Sequence, residues 1–183
     1  LRQTPTQRTP TMHIGAWVGT DPDGTGDQCI ESKPDDGCDS GFGIYLTAAG
    51  NLTGIVDNGS GATQQIPSNV FVRDGEWHHA TLQLAPGSNS GKIYLDGVLK
   101  TVATLGTADY GTSDVIVGSF DSSGTTENCQ GDIADVRIYN TARAPSADRF
   151  DDIDPNTANL VGYYNFDETS VSTATDLSST GQN

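Results

Sequence analysis

The sequence predicts an all-β chain folded as an antiparallel two-sheet β-sandwich, on three observations. Short runs with period-two alternation of apolar and polar residues recur along it, turn-forming clusters separate these runs, and no long window carries helical periodicity. The 183 residues suit one such domain. Twenty-two glycines and eight prolines supply the turns, and a hydrophobic share of 34% supplies one core.

The expected strands are residues 13–18, 28–32, 42–47, 52–56, 77–84, 92–95, 98–102, 115–117 and 133–139. Asp96-Gly97 between two alternating runs is a hairpin signal, because both residues tolerate positive φ. The one helix candidate is a single turn near residues 145–150, with Pro145 suited to a first helical position. Residues 160–166 form a further strand, with Val161, Tyr163 and Asn165 on one face and Leu160, Gly162, Tyr164 and Phe166 on the other. Residues 1–11, rich in Thr, Pro and Gln, are read as a linker, and 12–159 as the domain. Trp17, Trp77, Val136 and Ile138 sit in alternating segments and are expected in the core.

The net charge is −15, from 24 acidic and nine basic residues. Such a surface repels nucleic acid and anionic lipid, and no apolar run is long enough for insertion into a membrane. An Asp-rich surface with only Lys33, Lys92 and Lys100 as lysines attracts divalent cations and fits a marine or saline setting. The spacing of Cys29, Cys38 and Cys129 does not suit zinc. An oxidising compartment with one disulfide is the preferred reading, and three free thiols the alternative. Asn51 and Asn58 begin sequons that are either glycan acceptors or unused surface turns.

Candidate chemistry is sparse. His78 and His79 are adjacent in a strand, so they point to opposite faces and cannot act on one substrate atom. No G-x-S-x-G motif occurs. Asp135 and Arg137 share a strand face and are read as an exposed pair, while Asp167, Glu168 and Asp176 are read as turn chemistry rather than a second metal cluster. Tyr110 and Phe120 sit beside loops and are the candidate exposed, ligand-binding aromatics.

Three segments carry a family resemblance. Gly75-Glu76-Trp77-His78-His79-Ala80 followed by Ile93-Tyr94-Leu95-Asp96-Gly97 resembles an "EWHHV…LYVDG" hairpin. Residues 131–140 resemble a "G-x-I-D-E-V-R-I-Y-N" strand, and residues 13–18 an "I-S-A-W-V" strand. Together, over roughly residues 12–152, the chain resembles the laminin-G-like, concanavalin A-like lectin/glucanase family, whose jelly-roll members include the pentraxins. One departure stands out. The family's opening "L-V-G-Y-W-x-F-D-E" is matched here by Leu160 to Glu168, and its "A-L-x-F-D-G" strand is absent. Residues 160–183 therefore complete this sandwich, complete a neighbour's, or begin a next repeat.

The resemblance implies a divalent-ion site on a rim made by loops 33–40 and 120–130. Carried over by position, Asp39, Asp121 and Glu127 are the expected Ca²⁺ ligands. The same two loops hold Cys38 and Cys129, which would then bridge, with Cys29–Cys38 as the local alternative. Jelly-roll glycanases place clustered carboxylates such as E-x-D-x-x-E on one strand, but the four glutamates Glu31, Glu76, Glu127 and Glu168 are scattered. Lyases of this architecture need a Tyr/His/Arg constellation, which Arg73, Arg137, Arg143 and Arg149 do not suggest. No catalytic residues are therefore expected. The expected function is a secreted or cell-surface recognition or adhesion module that binds a glycan or an extracellular protein, with Ca²⁺. The alternative is a structural subunit of a surface filament, adhesin stalk or virion, assembled head-to-tail by strand complementation. A polysaccharide hydrolase or lyase is the remaining alternative.

Overall fold

The alternation in the sequence becomes two antiparallel sheets facing one another across one core. A computed structural model describes residues 11–34, 41–58, 62–85, 88, 90–106, 108–110, 114–120, 127–149, 153–168 and 174–179. Among these the chain forms β1 (Met12–Thr20), β2 (Gln28–Pro34), β3 (Gly41–Leu46), β4 (Asn51–Asp57), β5 (Thr63–Phe71), β6 (Trp77–Ala85), β7 (Ser90–Leu95), β8 (Val98–Thr104), β9 (Ile116–Val117), β10 (Gly131–Tyr139), the single turn α1 (Pro145–Asp148) and β11 (Leu160–Tyr164). One sheet runs β11-β10-β1-β6-β7-β8, and the other β5-β4-β3-β2-β9.

The inward sets follow the period of two. Met12, Ile14, Ala16 and Val18 of β1 and Ala80, Leu82 and Leu84 of β6 meet Phe42, Ile44 and Leu46 of β3 in a single buried cluster. Burial of each side chain larger than alanine here is worth about 1.5–3 kcal/mol. Val136 and Ile138 lie in the same cluster, as expected. Close approach of the sheets requires glycine at two points. A Cβ at Gly54 would stand 2.6 Å from Leu82 Cδ1, and one at Gly91 would stand 2.4 Å from Ile66 Cδ1.

The Asp96-Gly97 hairpin forms as the sequence predicts, with φ of 53° and 75° at its two central residues, the signature of a type I′ turn. It also seats α1, since a Cβ on Gly97 would come within 2.7 Å of Ser146 Cα. The sequence reading misses β5. Pro67 and the polar run Gln64-Gln65 hide its alternation, and this strand tolerates a proline because it lies at the edge of its sheet. β11 is the outermost strand of the six-stranded sheet and pairs with β10 of the same chain, Arg137 opposite Tyr163 and Ile138 opposite Gly162.

Candidate functional site

Strand register places the outward-facing residues of the six-stranded sheet in rows. His13, Gly15, Trp17 and Gly19 of β1 face away from the core, and their partners on β10 and β6 complete the rows Tyr139–His13–Gln83, Arg137–Gly15–Thr81, Ala134–Trp17–His79 and Asp132–Gly19–Trp77. An extra residue on β10, taken up at Asp135 with φ 55°, makes a bulge between the second and third rows.

The first two rows hold a polar network beneath α1. Asp148 Oδ2 lies 3.0 Å from His13 Nε2, and Oδ1 accepts the Tyr139 hydroxyl at 3.0 Å. Gln83 Nε2 lies 3.0 Å from His13 Nδ1, and the Tyr94 hydroxyl donates to Gln83 Oε1. Arg137 donates to the Asp148 carbonyl and to both Asp135 carboxylate oxygens, and the Arg143 guanidinium lies 4.7 Å over the Tyr139 ring. Burial works to raise the Asp148 pKa, but His13, Arg137 and Tyr139 outweigh it and hold the carboxyl below its usual value. The residue types would serve acid–base chemistry, but the His13 and Asp148 side chains are fully buried, so no substrate reaches them. This is a structural network. Asp135 and Arg137, expected as an exposed pair, belong to it, with Arg137 buried under α1. Sequence reading missed it because its parts lie far apart: His13 and Asp148 are 135 residues apart.

The last two rows are open. Trp77, expected in the core, is 48% exposed, and Trp17 is only partly buried. Both share the outward phase of His79, Thr81 and Gln83, a phase that an aromatic residue in an alternating strand does not reveal by itself. The Trp77 indole lies over Gly19, where a Cβ would come within 2.8 Å of Cε2. The His79 ring meets Trp17 edge-on at 5.3 Å. Burial pushes the His79 pKa down to about 4, so this ring is neutral at physiological pH. His78 faces the other way. Burial opposes its charge, yet Asp96 Oδ2 at 2.9 Å and Asp74 at 3.2 Å win and raise its pKa.

The loops at this end form a rim. Arg73 donates to the carbonyls of Gly26, Thr47 and Ala48, tying two of them together. Asp27 accepts the Ala48 N–H, and Gln130 exchanges hydrogen bonds with the Thr25 backbone. Phe71, 55% exposed, lies over Gly50. Glu127 belongs to this rim: its carbonyl accepts the Cys29 N–H at 2.7 Å. Burial, and then the neighbouring Asp27 carboxylate, raise the pKa of its side chain.

Of the other expected site residues, Asp39, Asp121 and Cys38 lie outside the described residues. The described ends of the two expected loops meet on one side, where Ser32 Oγ donates to the Ser119 carbonyl at 2.9 Å, and separate on the other. Phe120 and Glu127 lie beside Cys29, near the start of β2, whereas Pro34 and Gly41 pair at its other end. That is five residues along the strand at about 3.3 Å each, roughly 17 Å. Among the described residues no three His, Cys, Asp or Glu side chains converge as a metal site. Cys29 and Cys129 are free thiols. Cys29 packs with Tyr45 and Phe120, while Cys129 packs against the main core, and burial raises the Cys129 pKa to about 11. Tyr110 and Phe120, expected as exposed platforms, are instead buried, Tyr110 edge-on to Phe42 and Phe120 edge-on to Tyr45. Asp167, Glu168 and Asp176 accept hydrogen bonds from Asn165, Thr175, and Tyr163 and Ser178 respectively, which is turn chemistry.

Two antiparallel sheets of six and five strands, with the polar constellation sealed and Phe71 and Trp77 open to solvent, define a jelly-roll module of the concanavalin type. The chain belongs to the laminin-G type family described as the concanavalin A-like lectin/glucanases superfamily, whose model matches residues 4–147. No curated protein matches it. Among solved structures it is similar to a protein named for carbohydrate binding from Bacteroides ovatus, at 15% identity and a TM-score of 0.74 over 94% of this chain. The chain spans about half of that protein, 51%. It is also similar to the SAP-like pentraxin of Limulus polyphemus (16% identity, TM-score 0.56, 79% of this chain and 75% of that one). The CBM40 domain of the Ruminococcus gnavus IT-sialidase is a third (17%, TM-score 0.59, 74% and 79%). At these identities the likeness is one of fold. No helix among the described residues is long and apolar enough to cross a membrane.

Proposed function

We propose that this domain is a non-catalytic recognition module of the cell exterior that binds carbohydrate. The observation that carries this reading is the placement of Phe71 and Trp77, both laid over glycines and both open to solvent at one end of the sandwich. A large aromatic ring held open to solvent marks an interaction site, and aromatic faces suit the apolar faces of sugar rings. The name of the Bacteroides ovatus protein and the sialyllactose bound to the CBM40 domain support the same class of ligand.

Calcium belongs to this proposal. The negative charge of Asp27 reaches Glu127 and helps raise its pKa, and a divalent cation at this rim would offset that repulsion. Two carboxylates fall short of the six to eight oxygens calcium takes, so Asp39 and Asp121 remain the further expected ligands. A glycan array probed with the full chain tests the reading, once in millimolar Ca²⁺ and once after chelation. Binding to at least one carbohydrate, weakened by chelation, is expected. The melting temperature should also rise with Ca²⁺, by the equivalent of about 2.7 kcal/mol at a hundredfold excess over Kd. An array with no bound glycan removes the recognition reading, and a melt indifferent to Ca²⁺ removes the calcium.

A structural role is the second reading, favoured by β8. This outermost strand exposes Val98, Leu99 and Val102, an invitation to strand pairing between copies. Sedimentation should then show concentration-dependent assembly that Val102→Lys abolishes. A monomer at every concentration rules it out.

A further inference from the structure

We propose that Trp77, Gly19 and Asp132 form a subsite for an uncharged pyranose on the outer face of the six-stranded sheet. The proposal rests on the carbohydrate-recognition reading and names the place and the sugar class.

The three residues are consecutive across three strands, Asp132 of β10 opposite Gly19 of β1 and Gly19 opposite Trp77 of β6. Paired residues share a face, so all three point outward. Gly19 has no side chain to lift the indole off the sheet, and a Cβ there would meet Cε2, Cδ2 and Cζ2 at 2.8 to 3.1 Å. One indole face therefore rests on backbone while the residue stays 48% exposed. A platform at the start of β6, paired to Gly19 of β1, is held before the ligand arrives, which spares the ordering cost of binding through a loose loop. Behind it, Ala134 is small, and Trp17 and His79 pack edge-on.

Asp132 supplies the polar half. It is exposed, two strands from Trp77, a Cα separation of about 10 Å at 4.8 Å per strand. Its carboxylate forms no hydrogen bond or ion pair with the described residues. A pyranose presents C–H groups on one face and hydroxyls at its edge. Stacked on the indole, it would turn its edge hydroxyls toward the Asp132 carboxylate, an acceptor of charge-assisted hydrogen bonds.

Charge selects within the sugars. Glu76 precedes the tryptophan, and the net charge of the chain is −15. Arg137, two rows away, is buried and bonded to Asp135 and Asp148, and Arg73, in the rim at this end, is buried and donates to the Gly26, Thr47 and Ala48 carbonyls. A sialic acid, uronic acid or sulfated sugar would bring a second anion beside Asp132, and both of these arginines are buried and already bonded elsewhere. A neutral hexose meets no such penalty.

Trp17 and Trp77 are the only tryptophans, so Trp17→Phe leaves Trp77 as the sole indole emitter. The full chain and this variant are titrated with cellohexaose, mannohexaose and lactose as neutral probes, and with sialyllactose and tetragalacturonate as anionic ones. Calorimetry is read beside tryptophan emission. At least one neutral probe should bind and shift the Trp77 emission, while the anionic probes bind at least tenfold more weakly. Trp77→Ala, at an exposed position, should keep the native melting temperature and lose affinity tenfold or more. Asp132→Asn should lose several-fold. If a sugar binds but neither substitution changes its affinity, or only anionic probes bind, the subsite is wrong and the recognition reading survives. If neither the probes nor the glycan array bind, the recognition reading falls and the subsite with it.

Discussion

Asp148→Ala is expected to destabilise the domain by about 3–5 kcal/mol, the largest loss of any single substitution outside the apolar core. For a chain of this length that lowers the melting temperature by roughly 6–20 °C. The reason is what the carboxylate leaves behind. His13 and the Tyr139 hydroxyl both spend a hydrogen bond on it, and Arg137 lies 3.8 Å from Oδ1 as well as donating to the Asp148 carbonyl. Alanine leaves a buried imidazole and a buried hydroxyl short of an acceptor, and removes a carboxylate charge beside the largely buried Arg137 guanidinium, in a place water does not reach. Asp148→Asn keeps the shape and one acceptor oxygen, so it should cost less than alanine. The sign with pH is fixed by the depressed folded pKa. The contribution is present above the unfolded value near 3.8 and is lost as pH falls through the folded one. Thermal melts of the wild type and both variants check this. A loss below about 1 kcal/mol for alanine would mean that the network is not what seats α1 on the sheet.

The residues of that network show where sequence reasoning reaches and where it stops. The strand series and the Asp96-Gly97 turn were legible because period and turn chemistry are local: a few neighbouring residues decide them. Which face a strand turns inward was less legible. Val136 and Ile138 read correctly as core, while Trp77, two residues before His79 and in the same phase, read as core for its hydrophobicity and is open. Phase is set by the partner strand, here by Gly19, and not by the residue itself. Tyr110 and Phe120 failed in the opposite direction: each stands beside a loop, yet each ring packs on an aromatic from β3. Glu127, named by resemblance, lies at the rim, whereas Asp27, whose charge reaches it, was not read as part of the rim, because the two stand 100 positions apart in the chain. The polar network was illegible for the same reason.

Glu31→Gln is expected to stabilise the domain at neutral and alkaline pH. Glu31 is fully buried on β2, opposite Ile44 and Val117, and both its carboxylate oxygens lack a hydrogen-bond partner. Burial raises its pKa well above the usual 4.5. The titratable groups around it give little relief: Tyr164 and Cys29 become anions when they ionise, Asp176 lies near Tyr164, and Lys33 stands two residues along the same strand. For an acid whose folded pKa is raised, the folded state holds the proton more tightly than the unfolded chain. Stability is then highest below about 4.5 and falls as pH climbs toward the folded value, because deprotonation favours the unfolded chain. Glutamine imitates the protonated form and cannot lose that proton. The variant and the wild type should therefore melt together near pH 4 and diverge as pH rises, with the variant ahead by about 1–4 kcal/mol at pH 8. His78 also loses stability as pH rises, through its raised folded pKa, but it is present in both proteins and cancels in the difference. Glu31→Met removes the polar group altogether and should stay ahead of the wild type even at pH 4, where the protonated carboxyl still lacks a partner. Melts of the three proteins between pH 4 and pH 8.5 decide it: a gap between Glu31→Gln and the wild type that does not widen with pH would show that Glu31 is not carrying a buried, unpaired charge.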